Sequence, residues 1–280
     1  MKEVHVSEIT KSVRKLCIDA NYYLSDDVRD KLKEAYENES WDIAKDILEK
    51  IMINADIAKN EDMPMCQDTG VTCVFVELGQ DVHVAGGSLE EAINEGVRQG
   101  YADGYLRKSV VKDPLDRVNT KDNTPAMIYY NVVPGDKLKI TVAPKGFGSE
   151  NMSKLKMLKP SDGVEGVKEF ILEVVKQAGP NPCPPIIVGV GIGGTFDKAA
   201  NLAKKSLLRP LTERNSNPYY AELEKELLEK VNALGIGPQG FGGKTTALSV
   251  NIEYFPTHIA GLPVAVNINC HAARHAEVTF

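Results

Sequence analysis

The 280 residues are enough for one large domain or two lobes around a real core, and 42% hydrophobic with 26% charged residues excludes global disorder. Lys and Arg number 33 against 39 Asp and Glu, a net charge of −6, which argues against a general nucleic-acid binder because such affinity rests on a basic face. The same field repels an anionic substrate, so binding one requires a local cationic clamp.

The opening Met1-Lys-Glu-Val-His5 lacks the apolar region of a signal peptide, and no uncharged apolar run is long enough to span a membrane. The cysteines (Cys17, Cys66, Cys73, Cys183, Cys270) are odd in number and widely spread. Disulfides explain them poorly without an export signal, so the expectation is a cytoplasmic chain with reduced thiols.

The first sixty residues read as helices. Ser7 is placed as the cap of a segment with Ile9, Val13, Leu16, Cys17 and Ala20 at helical spacing. Ser40 is placed as the cap of another, with Ile43, Ile47, Leu48, Ile51 and Ala55 on its buried face. Val71 to Leu78 is rich in β-branched residues and predicts a strand with Cys73 packed inside it. Ser88 and Glu91 form a capping box that starts a helix. Met127–Val133 and Lys137–Ala143 predict a hairpin about Pro134-Gly135-Asp136. Asp162 to Ala178 is a helix stopped by Gly179-Pro180. Then come a strand over Ile186–Val190, a helix over Phe196–Leu208, and a helix capped by Asn217 with Pro218 at its first position. Strands over Thr246–Tyr254 and Pro263–Asn269 precede a short tail. Helices in a block followed by an irregular mixture predict an α+β fold, with a helical lobe over 1–62 on a mixed β-sheet body over 63–280.

Two glycine loops imitate phosphate sites. Gly189-Val-Gly-Ile-Gly-Gly194 fits G-x-G-x-x-G between a strand and a helix, but no second strand ending in an acidic residue follows, so a strand-to-helix turn with close backbone approach is expected. Gly240-Phe-Gly-Gly-Lys244-Thr-Thr246 lacks the first P-loop glycine, since position 238 is Pro238, and it leads into a strand. Its amides and Lys244 could still meet an anion.

Three cysteines stand in loops: Cys66 in Met-Cys-Gln-Asp-Thr-Gly70, Cys183 in Asn181-Pro-Cys-Pro-Pro185, and Cys270 in Asn269-Cys-His271. They can be read as unrelated thiols, as part of a zinc site with His271 and His275, or as three thiolate ligands of an iron–sulfur cluster. Spacing does not choose among these. Three ligands for four irons would leave one iron open as a Lewis acid.

Together with Lys145-Gly-Phe-Gly-Ser-Glu-Asn151 and Gly189-Val-Gly-Ile-Gly-Gly-Thr195, those cysteine motifs resemble the iron–sulfur-dependent class I fumarases. More narrowly, they resemble the α subunit of the two-subunit fumarase and L(+)-tartrate dehydratase group. The likeness runs over nearly the whole chain in the same order, and implies one catalytic domain over 1–280 with the class I fumarase N-terminal type of fold. It implies a [4Fe–4S] cluster on Cys66, Cys183 and Cys270, whose fourth iron meets a carboxylate and the hydroxyl of malate while water is reversibly added to fumarate. It places Gln67 and Asp68 beside the substrate, His258 in the active site, Arg107 on a carboxylate, and Gly146 and Gly148 in a backbone-lined wall. Glycine is common in that family where Phe147 stands.

Without the likeness, His258 reads as a core histidine, Asp68 as a turn cap and Arg107 as a surface ion-pair residue. With it, Asp68 and His258 are the candidates for proton transfer. The chain stops ten residues after Cys270, and in single-chain relatives a second domain completes the site. The expected partner is therefore a separate β subunit, with self-association through this chain, a small dicarboxylate as substrate, and neither nucleic acid nor membrane. Tartrate dehydration is the alternative within the class, and an iron–sulfur electron-transfer or binding module the alternative outside it.

Overall fold

The computed structural model describes residues 2–280 and is α+β. In chain order it runs β1 (Lys2–His5), α1 (Val6–Tyr22), α2 (Asp26–Asn38), α3 (Asp42–Asn60), β2 (Val71–Gly79), β3 (Val82–Ala85) and α4 (Leu89–Asp103). There follow β4 (Met127–Val133), β5 (Leu138–Lys145), the single-turn α5 (Phe147–Glu150), β6 (Lys154–Leu158), α6 (Gly163–Ala178), β7 (Ile186–Gly193) and α7 (Phe196–Ser206). The last elements are α8 (Pro218–Asn232), β8 (Ala247–Phe255), β9 (Leu262–Asn269) and β10 (Ala276–Thr279). Among the described residues no helix is long and apolar enough to cross a membrane.

Contacts divide the chain into two units. One comprises Met1–Leu24, Asn54–Phe147 and Arg274–Phe280, the other Ser25–Ile53 and Gly148–Ala273. The helical first sixty residues are thus shared between the units, whereas the sequence reading sets them apart as a lobe over 1–62. The apolar stripe of α1 (Ile9, Val13, Leu16, Cys17) is buried with α4 and the β2 and β5 strands. α2 instead belongs with the second unit, where Asp27 accepts from the Leu211 amide at 2.8 Å.

In the first unit β1 pairs in parallel with β3, and a four-stranded sheet has the order β10-β5-β2-β4. α1 is capped by His5, whose Nδ1 accepts from the Ser7 amide at 3.2 Å, so the cap lies two residues before the expected Ser7. Ser88 caps α4 as its sequence predicts, with Oγ accepting from the Glu91 amide.

The expected hairpin of β4 and β5 does not form. β2 lies between them, parallel to β4 and antiparallel to β5. β2 buries Thr72, Cys73, Val74 and Val76, which suits a central strand, whereas β4 is largely exposed and takes the edge. The Pro134-Gly-Asp turn crosses the end of β2, where Gly79 donates to the Lys137 carbonyl and Gln80 to that of Val133, each at 2.9 Å. The supposed tail is also a strand: β10 pairs antiparallel with β5 and closes the opposite edge.

The second unit is built on the sheet β6-β9-β7-β8. Alternation along β7 explains its glycines. Val188, Val190 and Ile192 point into a core with α6 and α8, while Gly189 and Gly191 face α7. The glycine run is therefore strand through Gly193, beyond the expected end at Val190. A methyl group on Gly191 would lie 2.1 Å from the Ala199 carbonyl oxygen, and one on Gly189 2.3 Å from that of Ala203. Asn217 caps α8 as expected, with Oδ1 accepting from the Tyr219 amide at 3.0 Å.

The loop that imitates a P-loop does meet an anion, and the anion is the chain's own Glu39. This carboxylate is 4% exposed and accepts from the amides of Lys244 (2.7 Å), Ser40 (2.8 Å) and Trp41 (3.0 Å). Lys244 Nζ donates to the Asn38 carbonyl at 2.9 Å. Burial pushes the Glu39 carboxyl up, but the amide bonds from Trp41, Lys244 and Ser40 outweigh it and leave the group below its ordinary value.

Gly191→Ala forces α7 away from β7 and should cost about 2 kcal/mol or more, read as a lower urea midpoint at unchanged slope. For Glu39 the folded value lies below the unfolded one, so its contribution is present above about pH 4.5 and disappears as pH falls through the lower folded value. Glu39→Gln should lose about 1–3 kcal/mol at pH 7 and show a flatter decline of stability in acid, measured by urea titrations between pH 7 and 3.

Candidate active site

The first unit gathers most of the polar site residues on the loop between α3 and β2. Its start is held by Asn21, whose carbonyl accepts from the Met65 amide at 3.0 Å, and by Asn54, which donates to the Met65 carbonyl at 2.8 Å. Its end is held from below: the buried Tyr101 hydroxyl donates to the Thr69 carbonyl at 2.7 Å, and Asn123 Nδ2 donates to that of Gly70 at 3.2 Å. Burial drives the Tyr101 phenol well above its ordinary range, so it remains a donor. Thr69 Oγ1 accepts from the Arg107 amide at 2.9 Å, which ties the Arg107 segment to this loop. Asn123 also accepts from the Ser109 amide at 2.7 Å. Its neighbour Asp122 is opposed by burial but held down to about 2 by the Thr124 amide and hydroxyl and by Arg98.

Asp68 is the best-fixed member of the group. Its Oδ1 accepts from the Gly70 amide at 3.0 Å, which is the turn-capping role expected of an Asp there. Its Oδ2 accepts from the Phe147 amide at 2.9 Å, which a simple cap would not need. A methyl group on Gly146 would come within 3.2 Å of the same oxygen. Hydrogen bonds thus hold Asp68 to the Gly146-Phe147 turn and the Arg107 segment to Thr69, with Gln67 next to Asp68 on the same loop; Gln67 and Arg107 are exposed and Cys66 is half-buried. The Cys66 thiol lies 3.4 Å from Gln67 Oε1. The Phe147 side chain is itself exposed, its amide serving Asp68.

In the second unit, two loop thiols emerge at one end of a strand pair. β7 and β9 are antiparallel with Ile187 opposite Asn269, so Cys183, just before β7, and Cys270, just after β9, leave the sheet at the same end. His271 Nδ1 lies 3.0 Å from the Cys183 carbonyl oxygen. Gln239 Nε2 lies 3.3 Å from the same Nδ1, so this nitrogen either donates to the Cys183 carbonyl or accepts from Gln239, according to the tautomer. Gln239 donates to the Pro184 carbonyl from its amide (2.8 Å) and from Nε2 (2.9 Å). Cys183 adopts φ +56 on this proline-stiffened loop and is exposed. Gly148, in α5, has the Asn181 carbonyl oxygen 3.7 Å from where a methyl group would stand, and so borders the same loop.

His258 is placed differently. It lies in the turn between β8 and β9, exposed, with Nδ1 accepting from the Ala260 amide at 3.1 Å, so it is no core histidine. β8 is parallel to β7, so this turn is at the sheet end opposite Cys183 and Cys270. One strand length of eight residues, about 25 Å, intervenes.

Cys66 belongs to the first unit, Cys183 and Cys270 to the second. Among the described residues no three His, Cys, Asp or Glu side chains stand together as a cage for a metal ion. The donor set still suits an iron–sulfur cluster. All three thiols are in loops and at least partly exposed, and the ligands of a cluster bind different irons, so they stand further apart than the ligands of one ion. Cys17 and Cys73, by contrast, are buried in the first unit's core, and burial pushes the Cys17 thiol far up.

Sequence reading misses Tyr101, Asn123, Gln239 and Arg274. Tyr101 falls on the apolar stripe of α4 with Ile93 and Val97 and looks like core. Gln239 and Arg274 are single residues in loops, and Arg274 is 4% exposed with Nη1 donating to Asn21 Oδ1 at 3.2 Å.

The family model described as fumarate hydratase (Fumerase) matches residues 10–279. A Methanocaldococcus jannaschii protein, provisionally named L(+)-tartrate dehydratase subunit alpha, is 47% identical over 275 residues, covering 96% of each chain. The L(+)-tartrate dehydratase subunit alpha of Escherichia coli strain UTI89 is 36% identical over 289 residues, covering all of this chain and 95% of that one. The protein of the same name in Shigella sonnei is 35% identical with the same coverage. With its motifs in order and its length matched from end to end, the chain belongs to the fumarate hydratase (Fumerase) family of hydro-lyases.

Proposed function

We propose that this chain is the α subunit of a hydro-lyase that reversibly hydrates fumarate to L-malate, with Cys66, Cys183 and Cys270 holding a [4Fe–4S] cluster and a separate β subunit completing the site. The observation that supports it most is the Cys66–Gly70 loop, which carries Gln67 and Asp68, holds the Arg107 amide on Thr69 and meets the Gly146-Phe147 turn through Asp68. The word "alpha" in the relatives' names supports the partner subunit.

When bound, the cluster supplies an open iron that acts as a Lewis acid toward the substrate hydroxyl. The chain's own residues do the rest. Arg107 offers an exposed guanidinium to one carboxylate in bidentate fashion. Each Asp68 oxygen accepts one backbone amide and keeps a lone pair, so the group can hold a proton at Oδ without rotating. Gln67 lies next to it for a second polar contact, and the bare backbone at Gly146 lets substrate approach closely. Cys66 must give up its contact with Gln67 to bind iron, which frees Gln67 Oε1 for that contact. A part for His258 in proton transfer would be played from a second copy of the chain, since it stands a strand length from the thiol end of its own unit.

Dehydration of L(+)-tartrate is the second reading, favoured by the names of the relatives. It differs by one hydroxyl, which a few polar contacts can select.

Anaerobic reconstitution should load about four irons with sulfide, and Cys183→Ser should abolish the brown chromophore. The chain alone should turn over little, and co-expression with its β partner should give malate or tartrate dehydration, their kcat/KM ratio naming the substrate. One zinc and no sulfide, or full turnover by the single chain, would end this reading.

A further inference from the structure

Arg274 has no part in the chemistry above, yet it is buried where the Asp68 loop meets the turn after β5. Its Nη1 donates to Asn21 Oδ1, and Asn21, fully buried, also donates from Nδ2 to the Cys17 carbonyl at 2.8 Å. The Asn21 carbonyl holds the Met65 amide, where the segment bearing Cys66, Gln67 and Asp68 begins. Arg274 Nε is buried without a hydrogen-bond partner. On its other flank, Nη2 stands 3.5 Å from where a methyl group on Gly146 would be, and Asp68 Oδ2 stands 3.2 Å from that same point. The guanidinium and the carboxylate therefore face one another across the bare side of a single buried glycine.

A guanidinium removed from water is costly unless a partner charge and hydrogen bonds offset it. The Asp68 carboxylate is the partner the geometry offers, in a setting where solvent screens poorly. We propose that Arg274 is a positioning residue for Asp68: it anchors the start of the loop through Asn21 and draws the carboxylate onto the Gly146-Phe147 turn. Gly146 is then glycine for the sake of this pair as well as of the wall it forms. The positional claim stands on the first unit alone; its effect on turnover rests on Asp68 acting as proposed above.

The test uses the full chain with Arg274→Met, Arg274→Lys and Gly146→Ala, and two readouts. Amide hydrogen exchange compares Phe147, which donates to Asp68, with Ile140 and Val142 in the neighbouring strand. Arg274→Met should speed Phe147 exchange by about tenfold or more while the strand amides stay within about twofold. With the β partner present, kcat should fall by about 100-fold with KM changed by less than about threefold, and Arg274→Lys should recover about tenfold of that loss. Gly146→Ala leaves the charge in place but intrudes between the pair, and should reproduce the Phe147 effect even if Arg274→Met does not fold. Unchanged Phe147 protection in the folded variants, or a uniform rise across Ile140, Val142 and Phe147, overturns the proposal. If the unsubstituted complex dehydrates neither malate nor tartrate, the substrate reading fails, and the exchange data still decide the role of Arg274.

Discussion

Two backbones meet so closely at Gly70 that a methyl group there would sit 2.5 Å from the Lys145 carbonyl carbon. The residue also adopts φ +73, where side chains are disfavoured. This approach, at the point where Val71 of β2 pairs with Lys145 of β5, lays the Cys66–Gly70 loop flat against the start of α5. It is what brings the Phe147 amide to Asp68, on the loop that carries Gln67 and holds the Arg107 amide through Thr69. Any side chain at position 70 would lift the loop, and these contacts would separate although every polar residue was still present.

The second unit depends on the same device in another place. Gly189 and Gly191 let α7 lie directly on β7, which buries the strand on both faces and sets it between β8 and β9. The antiparallel partnership of β7 and β9 then delivers Cys183 and Cys270 to one end. The proline loop of Cys183 is stiff, Gln239 ties down Pro184, and His271 orients on the Cys183 carbonyl. Loop cysteines normally carry an entropic cost of ordering when they bind a ligand. Here much of that ordering is already built into hydrogen bonds that do not involve the sulfur.

Local pattern reveals the elements well and their neighbours poorly. The stripe of α1, the Ser88 cap of α4, the Asn217-Pro218 start of α8 and the central strand over Val71–Gly79 are all readable, because period and capping chemistry are properties of adjacent residues. Strand order is not. Nothing between Met127 and Lys145 says that β2, fifty residues earlier, will lie between the two strands. The glycine motif at 189–194 imitates a phosphate turn for a related reason, since a strand alternating valine and glycine has the same spelling until the facing helix is known; the close backbone approach expected of it is present, but within the strand. The loop cysteines stand out as thiols in polar loops, whereas Gln67 and Asp68 are picked out by the family likeness. Arg274 does not, because its partner Asn21 lies 253 residues away and neither residue is unusual by itself.

The dicarboxylate proposed as substrate would be bound against a net charge of −6, and from sequence the local clamp it requires rests on Arg107 alone. The fold also buries two cations side by side that sequence gives no reason to place together. Lys145 and Arg274 are each 4% exposed; Lys145 Nζ donates to the Gly146 carbonyl at 3.1 Å, and Arg274 faces the other side of that glycine. Two buried cations thus flank Gly146, which directly precedes the Phe147 amide that binds Asp68, while the Arg107 amide is tied to the same loop through Thr69. Burial is what gives this arrangement its reach: charges held in a poorly screened interior act over distances at which surface lysines are lost in salt. The cost is borne by Asn21, the Gly146 carbonyl and Asp68, which is why a residue proposed for proton transfer and the residues that stabilise the loop cannot be separated in this site.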